Sequence, residues 1–221
     1  MRPLGFIFLL AAPVFAGDLR VGRAAVDITP PAGIPMAGYY NVRLAIGTHD
    51  PLHTKALVLE MDGAKAALVA CDLVGVERTI VEEARELISK TTGLRGEQVM
   101  ISATHSHTGP LLRPRFLAAI EGEPLEIARR YRAELPRRIA ESVRLAEAGL
   151  TRAQVWFGAG REESLSFNRR FLMKDGTVRF NPGKLNPNIV RPVGPIDPEA
   201  PVVFFDTPER KPLATFVNFA M

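Results

Sequence analysis

Apolar and polar residues alternate in short bursts along the first hundred positions, and the period of each burst predicts its element. Residues 20–28 read as a short apolar-rich strand closed by Thr29-Pro30-Pro31, and the stretch from Gly33 to Gly47, with Gly38-Tyr39-Tyr40 in its middle, as a loop. Lys55 to Leu59 and Ala66 to Ala70 predict two strands joined across Asp62-Gly63, a pair suited to a tight hairpin turn. Over residues 77–90 the period lengthens. Ile80, Ala84, Leu87 and Ile88 fall on one helical stripe, and Gly93 supplies the stop. Gln98 to Ala103 returns to strand. Strand, helix and strand in this order predict a parallel crossover of right-handed sense. Asp72 and His105 then follow the carboxyl ends of two parallel strands, at the edge where open α/β sheets hold their ligands.

From about Pro124 to Ala148 a long helical pattern places Ala128, Tyr131, Leu135, Ile139 and Val143 three or four apart. Pro136 inside it is expected to kink or split the helix. Arginines interleaved with glutamates there read as a solvated face with local ion pairs. Strands are expected again at 153–157, 165–167, 201–205 and 213–219. Residues 180–198, dense in proline and asparagine but apolar at Ile189, Val190, Val193 and Ile196, predict a long ordered loop. No boundary between two domains is legible. The fold class is α/β: a mixed sheet with helices packed on it, in which the strand–helix–strand crossover carries a His-x-His motif.

Composition changes this picture only at its edges. The chain has 221 residues, 47% hydrophobic and 24% charged, with a formal charge of +4. Its basic residues are not interleaved with aromatic ones in a stripe, so nothing points to nucleic acid. Arg2 followed by the apolar run Leu4 to Val14 and then Val14-Phe15-Ala16 predicts a secretory signal peptide over residues 1–16, cleaved after Ala16. An uncleaved anchor is the alternative, disfavoured by the length of the run. Residues 17–221 are then the mature chain, secreted or periplasmic. Cys71 is the sole cysteine and ends an apolar run, so it reads as core packing. The apolar run ending at Met221 reads as a chain cut in mid-strand.

Chemistry concentrates at Ala103-Thr-His-Ser-His-Thr-Gly-Pro110, which holds two of the four histidines. If residues 104–107 stay extended, His105 and His107 face the same way. Two imidazoles at a strand end suit zinc, as two ligands or as one ligand and one proton-handling group, although a catalytic zinc site wants three protein ligands. A hydrogen-bonded turn or a metal-free base fits the spacing equally. Thr104, Ser106 and Thr108 offer hydroxyls to orient the rings, and Gly109 offers a close approach for substrate. Asp72 reads either as a helix cap or as an acceptor that fixes the tautomer of a ligand histidine. His49 is a candidate contact to substrate or to a ligand, against a simple loop histidine, and His53 reads as surface. Asn168 and Arg169 follow the strand expected at 165–167. The guanidinium is a fork for a carboxylate, phosphate or oxyanion, or a member of a surface salt bridge.

Gly47-Thr-His-Asp-Pro-Leu-His-Thr-Lys55, Ala67-Leu-Val-Ala-Cys-Asp-Leu-Val-Gly75, the His-x-His segment, Phe167-Asn-Arg-Arg170 and Asn186-Pro-Asn-Ile-Val-Arg-Pro-Val-Gly-Pro-Ile-Asp-Pro-Glu199 together resemble the N-terminal part of the neutral/alkaline, non-lysosomal ceramidase family. These segments cover most of the mature chain. The resemblance implies a zinc-dependent amidase that splits the N-acyl amide of a ceramide-like lipid into a sphingoid base and a fatty acid. It implies Zn(2+) as cofactor, His105 as a metal ligand, His107 beside the metal near the substrate amide, and Arg169 facing the active site. Where the family usually has serine next, this chain has Arg170. The family's further ligands, a histidine and a later glutamate and tyrosine, fall after residue 221, so the chain as given is expected to be inactive. The expected partner is a small-molecule or lipid N-acyl substrate, peripheral membrane contact is compatible with it, and nucleic acid is not. The alternative is a non-catalytic secreted binding or scaffold domain that keeps the fold.

Overall fold

The computed structural model describes residues 18–220. The expected signal peptide lies outside the described residues. The chain divides into two compact units, a boundary the sequence did not reveal. One holds residues 18–154 with 206–214; the other holds 155–205 with 215–220.

The first unit is built on a five-stranded sheet of β1 (Arg20–Asp27), β2 (His53–Met61), β3 (Ala64–Cys71), β4 (Val99–Ala103) and β5 (Thr151–Arg152), in the order β4-β3-β2-β1-β5. The Asp-Gly pair makes the expected hairpin, with Asp62 at φ 51° and Gly63 at φ 80°, so β2 and β3 run antiparallel with Leu57 opposite Leu68. Helix α1 (Arg78–Thr92) crosses over from β3 to the parallel β4, and the left-handed Gly93 (φ 73°) ends it by donating its N–H to Ser89. The sheet is therefore mixed, as expected.

Because strand side chains alternate, one face of this sheet carries Ala24, Ala56, Val58, Ala67, Val69, Cys71, Val99 and Ile101, all in or against the main core. The same core takes Ile80, Ala84 and Ile88 from α1 and Leu135, Ile139, Val143 and Ala146 from α3 (Glu123–Ala148). Pro136 does not split α3, which runs on as one element. The proline is itself buried, and the packing around it outweighs the one hydrogen bond its nitrogen cannot make. Local pairs such as Arg129–Glu126 and Arg144–Glu141 line the solvent side, while Arg132 reaches Glu77 beside α1. A smaller apolar cluster gathers Ile34, Leu117, Ile120 and Ala128; it joins the 33–45 segment to the short helix α2 (Pro114–Leu117) and to α3.

In the second unit, β7 (Arg170–Met173) pairs antiparallel with β8 (Val178–Phe180) and with β9 (Ile189–Pro192). Residues 165–167 are not a strand: Leu165 and Phe167 are exposed, and the strand begins three residues later. The proline-rich stretch is not loop throughout, since Ile189–Pro192 uses it to add an edge to β7. The remaining strands, β6 (Gln154–Arg161), β10 (Glu199–Asp206) and β11 (Pro212–Val217), form a three-stranded sheet in the order β11-β10-β6. Among the described residues no helix is long and apolar enough to cross a membrane.

Candidate metal and catalytic site

The parallel pairing of β3 with β4 sets Cys71 beside Ala103, so the chain leaves both strands at one edge. The two exits are then sewn together. The Thr104 N–H donates to the Cys71 carbonyl at 2.9 Å and the Ser106 N–H to the Leu73 carbonyl at 3.1 Å. Between these bonds the backbone does not stay extended. His105 adopts φ 62°, a left-handed conformation that costs a non-glycine residue of the order of 1 kcal/mol. The premise of an extended segment is thus corrected, yet the rings still meet: their centroids lie 4.9 Å apart at 64°, edge to face.

The left-handed turn has a specific product. It lays the Nδ1 of His105 2.8 Å from the Val74 carbonyl. A carbonyl only accepts, so this contact selects the tautomer with the proton on Nδ1 and leaves the Nε2 lone pair free. That is the usual way a protein prepares a neutral imidazole for a metal. Both histidines are solvent-exposed.

The surrounding polar groups act differently from expectation. Asp72 neither caps α1, whose start has no side-chain cap, nor touches a histidine ring. Its carboxylate accepts the His53 N–H at 3.0 Å, with Lys55 Nζ and the Thr104 hydroxyl each at 3.4 Å, and so ties β2 to the residue before His105. The hydroxyls do not orient the rings: Thr104 turns to Cys71 and Asp72, and Ser106 pairs with Thr108 at 2.9 Å. Gly109 is buried, and a Cβ there would lie 3.3 Å from the Asp72 carbonyl oxygen, so its smallness serves close packing of two backbone segments. Cys71 is fully buried, and burial pushes its thiol up to about 11. It is core, as read from the sequence.

His49 is exposed in the bend before β2, with no ring contact to the pair among the described residues. Asn168 and Arg169 belong to the second unit. There the Asn168 side chain accepts the Arg170 N–H at 3.0 Å and donates to the Pro195 carbonyl at 3.3 Å, fastening the 194–195 turn to the start of β7. Arg169 lies with its guanidinium carbon 5.7 Å from the centroid of the Phe180 ring. Sequence reasoning missed Val74 and Gly38, which both touch the histidines. Neither has a side-chain signature for such a role, although a glycine just before a tyrosine pair was visible.

The donor set tests the fit to zinc. Two imidazoles meet edge to face and one is tautomerically prepared, but among the described residues no group of three or more His, Cys, Asp or Glu is placed to hold a metal ion. The described residues thus offer two imidazoles at most, and a catalytic zinc needs a third protein ligand.

No family model matches the chain. It is 27% identical over 207 residues to the neutral ceramidase of Pseudomonas aeruginosa, an alignment that covers 90% of this chain and 29% of that protein. The crystal structure of neutral ceramidase from Pseudomonas aeruginosa superposes with a TM-score of 0.70 at 22% identity, over 93% of this chain and 32% of that one. A ceramidase complexed with C2 gives a TM-score of 0.67 at 22% identity, over 91% and 31%. The fold is therefore shared, and the chain spans about a third of the length of the proteins it matches.

Proposed function

We propose that this chain carries the histidine-bearing part of a zinc-dependent hydrolase that cleaves the N-acyl amide of a ceramide-like lipid. The observation that carries the proposal is the fastening of His105 Nδ1 to the Val74 carbonyl, with the His107 ring 4.9 Å away between centroids. The likeness to neutral ceramidase supports the substrate class. On this proposal residues 17–221 are the N-terminal portion of a ceramidase-like catalytic domain, exported by the segment 1–16, and donors from outside the described residues complete the site.

Amide hydrolysis needs a nucleophile, a proton for the leaving amine and a stabiliser for the oxyanion. His105 would hold the metal through Nε2, the nitrogen left free by the Val74 contact. A zinc ion bound there would supply Lewis acidity toward the amide carbonyl and lower the pKa of a water. His107 passes the proton given up by the attacking water to the departing sphingoid amine, a task suited to an imidazole near neutral pH. The resemblance makes Arg169 the expected donor to the developing oxyanion; within its own unit Asn168 accepts the Arg170 N–H and so closes the turn around it. His49 contacts the substrate, and Asp72 steadies the His105 turn through Thr104.

Zinc content and fatty-acid release from an N-acylsphingosine, measured on the full gene product, test the proposal. Zinc near one per chain with turnover, both lost in His105→Ala, is the expected result; full activity in His105→Ala would overturn it. The 221-residue chain alone is expected to release no fatty acid. A non-catalytic binding domain is the second reading, favoured by the lack of a third ligand among the described residues. Absence of both zinc and turnover from the full product would select it.

A further inference from the structure

The loop before β2 is built into the histidine site. Residues 33–45 fold on themselves through Gly33 N–H to Ala45 O (2.7 Å), Ala45 N–H to Ile34 O (2.9 Å) and Met36 N–H to Arg43 O (2.8 Å). The same loop is laced to the segment after His107: Ala37 donates to the Gly109 carbonyl at 2.9 Å, and Leu111 donates to Pro35 at 2.7 Å. Ile34 and Ala37, both buried, pin it from below. At its turn stands Gly38, with φ +85°.

A Cβ at Gly38 would fall 2.4 Å from Cγ, 2.5 Å from Nδ1 and 2.7 Å from Cβ of His107. The glycine backbone thus lies over one face of the imidazole, close to Cγ, where it leaves no room for a side chain. Neither ring nitrogen of His107 has a hydrogen-bond partner among the described residues, so packing limits this ring: Gly38 over one face and the His105 ring beside it. We infer that Gly38 is a positioning residue for His107: by keeping one face of the imidazole free of any side chain, it sets the orientation the ring adopts. The inference rests on the proton-handling role given to His107 above. Any side chain at 38 must push the ring by roughly 1 Å, and a misplacement of that size costs about a hundredfold in rate.

Gly33→Ala is the control. Gly33 shares the loop and the strained conformation (φ +84°), but its Cβ would meet only the end of the Ile127 side chain, at 3.2 Å. In nitrogen-15 imidazole spectra of the full gene product, Gly38→Ala should shift the His107 signals, whereas Gly33→Ala should leave them in place. With an N-acylsphingosine, Gly38→Ala should lower kcat by at least tenfold with KM within twofold. Unmoved His107 signals in Gly38→Ala, or equal shifts in both variants, would overturn the positioning role. A shifted ring with unchanged kcat would uphold the positioning and instead sink the proton-handling role of His107. Thermal melts guard against misfolding: Gly38→Ala should lower Tm less in a His107→Ala background than in the parent. An equal drop in both would refute the contact.

Discussion

The end of α3 lies against β1 at Gly22, and this contact is the sharpest test of the packing. Gly22 sits mid-strand, opposite Val58. Its backbone has no left-handed conformation, so alanine there carries no intrinsic strain and would by propensity alone favour the strand. The cost is steric. A Cβ would stand 1.8 Å from the Ala146 carbonyl oxygen, 2.9 Å from its carbon and 3.0 Å from the Leu150 nitrogen. All three are backbone atoms, and no rotamer change relieves them. To restore an ordinary contact the last turn of α3 must retreat by roughly 1.5 Å, which opens the core around Val143 and Ala146 and strains the Lys65–Glu147 pair. Overpacking costs about 1–3 kcal/mol when side chains yield, and a backbone collision belongs at the top of that range, about 3 kcal/mol. For a chain of this size that is a fall of roughly 6–12 °C in Tm. Urea and thermal unfolding of Gly22→Ala, beside Gly47→Ala, where nothing lies within 4 Å, provide the measurement. Gly47→Ala should stay within about 0.5 kcal/mol of the parent. A Gly22→Ala variant equally stable would refute the close crossing of helix and strand.

Asp72→Ala leaves the His53 N–H without its acceptor and should cost about 1–3 kcal/mol in urea unfolding, with Asp72→Asn costing less because it keeps an oxygen there. A neutral Asp72→Ala would remove the clasp from the account. Cys71 should resist a thiol reagent at pH 8 in the folded chain and react once per chain after unfolding. Its thiol also has a pH signature. The folded chain keeps this proton up to about 11 while the unfolded chain releases it from about 9.0, so stability should decline as pH rises through that window, by at most about 3 kcal/mol. Cys71→Ala should flatten this decline in a pH series of melts. In the second unit, Asn168→Ala frees the 194–195 turn and should raise its amide exchange at least tenfold while exchange in β2 and β3 stays unchanged.

Local chemistry explains which elements were legible. The Asp62-Gly63 hairpin, the α1 stripe with Gly93, and the parallel return to β4 are each specified by residues within a few positions of one another. The meeting of His105 with His107 was also legible, though for the wrong reason. The left-handed turn at His105 depends on Val74 and Leu73 across the crossover, which no local period encodes. The strand expected at 165–167 failed because alternation there is not matched by a partner strand. β9 was hidden because proline tolerates an edge position that sequence density alone reads as loop.

Taken by itself, the sequence determined the mixed sheet, the crossover and the edge where the two histidines emerge, because strand and helix periods are properties of neighbouring residues. Tertiary structure alone decided the tautomer of His105, the wall that Gly38 sets against His107, and the clasp of Asp72 on β2. Those contacts join backbone groups from separate segments, and a carbonyl or a missing Cβ acquires chemical meaning only when folding brings another residue within a few ångströms of it.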